Sequence, residues 1–192
     1  MIKVWIPDIT SEETYPEAHY EDTDFQKELM SRQPVRGKFP DVKIFIESEF
    51  PPPDYFECGP KSFVSEKLAD ILRCHEKVKV EFHAVEVFFR GGLYTKQQFF
   101  YFNVVDEADG FDFKKSQYEL LKGYAYRLEE LVLKPVDEHE HEHILFYLEN
   151  LISSILCIVD ALAEEIQASG CTGMKFIDPQ DWGRRRKLFG WS

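Results

Sequence analysis

Apolar and polar positions alternate in several short segments of the chain, and a period of two predicts β-strands. Residues 1–6 alternate in this way, and the chain offers further predicted strands at residues 43–47, 124–133, 143–148 and 174–177. Each is short and ends at a proline, a glycine or a charged residue, as strands of a small sheet do. The pattern therefore predicts several short strands distributed over the whole length of the chain.

A longer alternating stretch predicts a β-hairpin. Residues 77–89 alternate, with a shift of one position at Ala84 that is typical of a bulge. The sequence Arg90-Gly91-Gly92 then predicts a turn, and residues 97–105 supply the partner strand.

Two segments have helical spacing instead. A helix signal that opens at Ser62 predicts a helix near residues 65–74, with Leu68, Ile71 and Leu72 on one face and Ser62 or Ser65 as its cap. Residues 160–169 predict a second helix, with apolar Leu162, Ala163 and Ile166 facing inward and Gly170 following its last turn. A short helix over residues 24–30 is also compatible with the pattern. Strands with segregated helices predict an α+β fold, a mostly antiparallel sheet with two main helices packed against it.

Three consecutive prolines, Pro51 to Pro53, interrupt regular structure and mark a junction. We expect residues 1–56 to form an amino-terminal strand and loop region packed on the core, because they offer too few apolar positions for a core of their own. Residues 57–192 then form the α+β core with a basic carboxy-terminal tail.

The formal net charge of −12 on 192 residues narrows the class of partner. Such an acidic surface repels nucleic acid and anionic membranes and attracts basic proteins. The basic run at residues 183–187 is small against this total, and the longest apolar run, residues 155–159, is far too short to span a membrane. Four cysteines without a C-x-x-C pair, and an amino terminus unlike a signal peptide, indicate the reducing cytoplasm.

No catalytic motif is visible, and none for a cofactor: the chain lacks a G-x-S-x-G elbow, a G-x-G-x-x-G loop and a Walker pattern. The acidic loop, residues 106–112, has the composition of a cation site but not the spacing of a calcium loop. We expect its charges to be solvated.

Three histidines, His139, His141 and His143, alternate with glutamates and suggest a metal site. On a strand they share one face, but successive members lie roughly 6.6 Å apart, which is too far for easy convergence on one ion. A solvated loop or strand edge explains the pattern better, and changing all three histidines to alanine should then barely alter stability. A metal-binding protein, or a metal-dependent enzyme using these histidines, stays open as the alternative function.

Five segments carry a family resemblance in chain order: residues 63–72, which begin Phe-Val-Ser, and residues 102–106, 128–133, 143–148 and 163–176. The last contains Gly-Cys-Thr-Gly-Met-Lys-Phe. Together they resemble a bacterial immunity-protein family of the polymorphic toxin systems, the myxobacterial-type domain formerly of unknown function.

The resemblance implies a non-enzymatic cytoplasmic protein that binds and neutralises a cognate toxin, and it supplies no catalytic residues. A basic toxin would suit the acidic surface, and Glu107, Asp109 and Asp112 of the acidic loop are the predicted partner-binding residues. A general acidic adaptor is a third possibility. Neither nucleic acid nor membrane is an expected partner.

Overall fold

A computed structural model describes residues 1–20, 32–135 and 142–183. The strands are β1 (Ile2–Pro7), β2 (Glu17–Tyr20), β3 (Lys43–Glu47), β4 (Tyr55–Cys58), β5 (Lys61–Ser65), β6 (Val80–Phe89), β7 (Gly92–Leu93), β8 (Phe99–Val104), β9 (Glu107–Ala108), β10 (Gln117–Leu121), β11 (Tyr124–Glu130), β12 (Leu145–Leu148), β13 (Leu156–Val159) and β14 (Met174–Ile177). The helices are α1 (Glu66–Arg73) and α2 (Asp160–Ala168), and a 3-10 turn follows at Pro179–Asp181. The predicted α+β class is confirmed.

The chain divides into two compact units. The first comprises Met1–Ile6, Asp106–Glu164 and Phe176–Ser192, and the second comprises Pro7–Val105 and Glu165–Lys175. The predicted boundary between residues 1–56 and 57–192 stays a prediction. The short helix predicted over residues 24–30 lies outside the described residues.

The largest sheet lies in the second unit and runs in the order β2-β3-β6-β8-β5-β4, with β7 beside β6. Its pairings are antiparallel except for β3 with β6, so the sheet is mixed. The two edge strands come together, since the Cys58 thiol of β4 donates to the Ala18 carbonyl of β2 over 3.0 Å. The sheet is therefore nearly closed, like a barrel, around a core that includes Ile44, Phe56 and Phe63.

A five-stranded sheet forms the frame of the first unit, in the order β14-β1-β13-β12-β9. Its strands are mostly antiparallel, and β9 adds to β12 in parallel at one edge. Val4 and Cys157, paired in register on β1 and β13, are fully buried in its core.

The hairpin of β10 and β11 is a separate two-stranded sheet in the same unit. Lys122 and Gly123 join its strands with φ of 53° and 88°, the positive values that a type I′ turn requires.

Helix α1, Glu66–Arg73, confirms the helix predicted near residues 65–74. Residues 61–65 form strand β5 rather than helix, because Phe63 and Val64 pair with Tyr101 and Phe100 of β8 and are fully buried. Ser65 is the cap, and its hydroxyl accepts from the Leu68 N–H over 3.3 Å.

Helix α2 agrees with its prediction in position and orientation. Leu162, Ala163 and Ile166 are buried, and Gly170 has a φ of 72°, the left-handed value typical of a helix end.

Candidate partner-binding surfaces

The acidic loop lies at the edge of the five-stranded sheet, where β9 pairs with β12. Its first carboxylate faces inward: Asp106 is 5% exposed, and its Oδ2 lies 2.8 Å from Nδ1 of His143. The loop also pairs with residue 134, since the Asp109 carboxylate accepts from the Lys134 ammonium. Glu107 is exposed on β9. The expectation that the loop charges are solvated is thus wrong for Asp106.

Asp112 is also engaged within the protein. Its side chain is 15% exposed and accepts from the backbone N–H groups of Lys114 and Lys115, over 3.0 and 3.2 Å. Desolvation raises the pKa of Asp112, but these hydrogen bonds and the Lys115 charge lower it more, so that the pKa lies below its ordinary value. Of the three predicted partner-binding residues, Asp112 organises the loop, whereas Glu107 and Asp109 are exposed.

The histidine cluster is only partly described. His139 and His141 lie outside the described residues, and His143 is held by Asp106 with its ring edge-on to Phe146 at 5.8 Å. Among the residues that the structure describes, no three of His, Cys, Asp and Glu come together as a metal site. Of the basic run at residues 183–187, only Gly183 is described.

Asp54 joins two of the segments that carry the family resemblance. Its carboxylate accepts from the Ser65 hydroxyl over 2.6 Å and from the Thr172 N–H over 3.0 Å. The Tyr55 N–H donates to the Thr172 carbonyl over 3.0 Å, so the chain at residue 172 lies against β4. Gly173 has a φ of 94°, and a Cβ there would collide with the Tyr55 carbonyl. Ser65, Thr172 and Gly173 therefore serve a structural junction that holds residues 172–173 against β4.

A row of stacked rings crosses the outer face of the barrel-like sheet. His19, Phe45 and Phe88 lie opposite one another on β2, β3 and β6. The centroids of His19 and Phe45 are 5.3 Å apart and those of Phe45 and Phe88 are 5.2 Å apart, with interplanar angles of 16° and 22°. Leu93 of β7 stands opposite Phe88 and is 51% exposed. We call these three rings the ring row.

Carboxylates border the ring row on one side. Glu17 and Glu47 face each other directly on β2 and β3, and the Glu47 side chain is 70% exposed. On the other side Lys43 and Glu86 are opposed, and the Lys43 ammonium lies 5.9 Å from the centre of the Phe88 ring.

A cleft of about 820 Å³ opens beside this second border. Lys43, Glu86 and Leu93 line it together with carboxylates of Asp41 and Glu66.

The order of the resembling segments agrees with a direct comparison of the sequence with known families. The model of the immunity protein family (Imm11) matches residues 10–181. The chain belongs to this immunity protein family. No curated protein matches it.

The immunity protein has a second exposed apolar surface, at the tip of the β10–β11 hairpin. Leu120, Leu121 and Tyr124 are 62%, 47% and 52% exposed, and Ile152, whose N–H donates to the Ala125 carbonyl, is 48% exposed. No helix of the described ranges is long and apolar enough to cross a membrane.

Sequence reasoning identified neither the ring row nor the hairpin tip of this immunity protein. The ring row depends on the register of three strands distant in sequence. The hairpin tip had a local signal, Lys122-Gly123 with two apolar residues on either side, which is typical of a tight turn.

Proposed function

We propose that this protein binds a cognate toxin domain in the cytoplasm and neutralises it by occupying its surface, without catalysis. The observation that carries the proposal is the family match over residues 10–181. A stoichiometric blocker needs a surface complementary to its target and no reactive constellation, which suits the absence of any recognisable catalytic motif.

The charge of the chain supports a basic toxin. A net charge of −12 attracts a basic partner over distances comparable with the Debye length, about 8 Å at physiological ionic strength. Glu107 and Asp109 of the acidic loop are exposed and extend this field towards a partner, and Asp112 holds the loop in shape. We propose that the loop guides the toxin during approach. Nucleic acid and anionic membranes are not partners, since the same field repels them.

Co-expression tests the proposal. The gene beside that of this chain is expected to encode a delivered protein with a toxic carboxy-terminal domain. Expressing that domain alone should stop growth, and adding this chain should restore it. Failure to restore growth, with both proteins soluble, would contradict the proposal.

Titration distinguishes blocking from catalysis. If the chain blocks the toxin, activity of a fixed amount of purified toxin should fall linearly with added chain until a fixed stoichiometric ratio. An enzyme that destroys the toxin would protect at ratios far below equivalence and with a time dependence. Fusing the chain to an export signal should abolish protection against toxin made in the cytoplasm, which tests the proposed compartment.

A further inference from the structure

We propose that the ring row, with Glu17 and Glu47 beside it, is the docking surface for an arginine-bearing segment of the toxin. This inference rests on the proposed function and adds the place of contact and the chemistry of what is bound.

The rings of the row lie on the outer face of their sheet. Neighbouring positions on the same strands, Ile44 and Val87 among them, point into the core and are 0% and 2% exposed. Phe45 and Phe88 alternate with them and remain partly exposed, and the side chain of His19 is 51% exposed. A stack of two phenyl rings and an imidazole thus presents a continuous aromatic surface, of the kind that marks interaction sites.

The faces of the rings attract cations. The Lys43 ammonium already stands over Phe88 at 5.9 Å, within the range of a cation–π contact. A planar guanidinium can stack on a ring, whereas an ammonium acts as a point charge. The ring row therefore favours arginine over lysine as the group that arrives.

Two carboxylates, Glu17 and Glu47, face each other directly across β2 and β3. Like charges placed directly across two strands repel and destabilise the pairing. His19 Nδ1, at 3.9 Å from Glu47, is too far for a hydrogen bond that would offset this. A guanidinium donates to carboxylates through several N–H groups at once, so one arginine can contact this border and the Phe45 ring together. The partner's charge would turn a repulsive pair into an attractive site.

The same carboxylates argue against other occupants. In a symmetric dimer through this face whose twofold axis crosses the ring row, the Glu17 and Glu47 borders of the two copies would approach each other. Single-stranded nucleic acid also stacks on aromatic rings, but it needs a positively charged groove and not an acidic chain.

The cleft gives the segment a place to continue. It opens on the side of the row marked by Lys43 and Glu86, and its volume of about 820 Å³ accommodates one or two large side chains. Its carboxylates, Asp41, Glu66 and Glu86, again suit basic groups.

The test measures binding of the full chain to the purified toxin domain of the neighbouring gene by calorimetry. The double variant Glu17→Gln/Glu47→Gln should raise the dissociation constant roughly tenfold or more, as expected for the loss of a charged anchor. Phe45→Leu, which keeps an apolar side chain but removes the ring, should weaken binding roughly tenfold. Phe45→Tyr, which keeps an aromatic ring, should bind as tightly as the unmodified chain. The matched control Glu129→Gln/Glu130→Gln removes the same charge from exposed positions of β11 and should change binding less than about twofold.

The outcomes separate the two proposals. If the unmodified chain does not bind the toxin, the proposed function is wrong. If it binds, and the glutamine pair and Phe45→Leu both bind as tightly as it does, the docking surface is wrong while the function stands. The glutamine pair keeps the test valid if Phe45→Leu fails to fold, because exposed charges contribute little to stability. A dimer in the free chain, or oligonucleotide binding, that the same variants abolish would also overturn the arginine assignment.

Discussion

The acidic loop and the border of the ring row contain the same kind of side chain in different physical situations. In the loop, Asp106 is buried against His143, and Asp112 accepts from two backbone N–H groups. At the border, Glu17 and Glu47 are opposed across two strands, and Glu47 is largely exposed.

The difference shows why acidic composition alone does not locate an interface. A carboxylate that already accepts hydrogen bonds from its own chain stabilises the fold, and recruiting it to a partner would sacrifice those bonds. A carboxylate held beside another carboxylate gains when a cation arrives. The loop is therefore expected to act through its field and its shape, and the border through direct contact.

The largest effect is expected away from both regions and calibrates the others. Leu162 is 2% exposed, and Leu162→Ala should lower the free energy of unfolding by roughly 2–4 kcal/mol through lost burial and a cavity. The control Glu164→Ala, on the exposed side of the same helix, should cost within about 0.5 kcal/mol. Urea unfolding measures both. A costlier glutamate would mean that the assigned orientation of α2 is wrong.

The next largest effect tests whether the loop is built into the fold. His143→Ala removes the Nδ1 partner of the buried Asp106 carboxylate and should cost roughly 1–3 kcal/mol in urea unfolding. This differs from the sequence-based expectation that changing the histidines barely alters stability. Glu107→Ala, on the exposed strand of the same loop, is the control and should have little effect. Equal stability of His143→Ala and the unmodified chain would refute a structural role for this pair.

The same histidine tests the alternative function. Elemental analysis of untagged protein should find well under one zinc or nickel per chain, because His143 already points at a carboxylate of its own chain. Stoichiometric metal, lost on changing His139, His141 and His143 together, would restore the metal-binding hypothesis.

Alternation along a strand reports directly that one face is buried and the other exposed to solvent. Lys43–Glu47 has the predicted bounds for this reason, since Ile44 and Ile46 are buried between exposed Lys43 and Glu47. Met174–Ile177 also has its predicted bounds. Strand β13, Leu156–Val159, had no alternation to detect, since Leu156, Cys157 and Ile158 are all buried.

The apparent shift at Ala84 illustrates a second limit. The register of β6 with β8 runs unbroken from Val80 to Val85, so the change of apolar face is not a bulge. Phe82 is apolar on the outer face because the guanidinium of Arg73, from α1, covers its ring at 4.8 Å. A sequence pattern cannot show that a helix elsewhere in the chain covers a strand.

The candidate site was the least predictable part. Phe45 was visible between Lys43 and Glu47 as the apolar member of an otherwise charged strand face. Its importance depends on stacking between His19 and Phe88, which are distant in sequence. Only long-range strand register brings the three rings together.

A smaller effect concerns pH. Asp112 has a pKa below its ordinary value in the folded protein, so its contribution to stability is present above that ordinary value, about 3.9, and is lost as the pH falls through the lower, folded value. Amide exchange at Lys114 and Lys115 should therefore accelerate at acidic pH relative to the intrinsic rate. In Asp112→Asn the acceleration should disappear. If Asp112→Asn kept the same acid transition, another group would be responsible for it.

The smallest effect is on the binding rates, and it distinguishes the roles of the acidic loop and of the ring-row border most directly. Glu107→Gln/Asp109→Asn removes two exposed loop charges, so it should slow association with a basic toxin by a few-fold and leave dissociation nearly unchanged. The slowing should shrink as salt rises, because screening removes the field that both charges create.

Glu17→Gln/Glu47→Gln removes the same charge but should mainly speed dissociation, since direct contacts persist in the complex. Stopped-flow association and dissociation rates from low to high salt measure all four responses. Adding Asp112→Asn to the loop pair removes a third charge and weakens the hydrogen bonds from the Lys114 and Lys115 N–H groups, because a neutral amide oxygen accepts less strongly than a carboxylate, so any further change in the rates reports this charge and the shape of the loop together. If the loop variants instead accelerated dissociation and the border variants altered only association, the roles assigned to the two regions would be reversed.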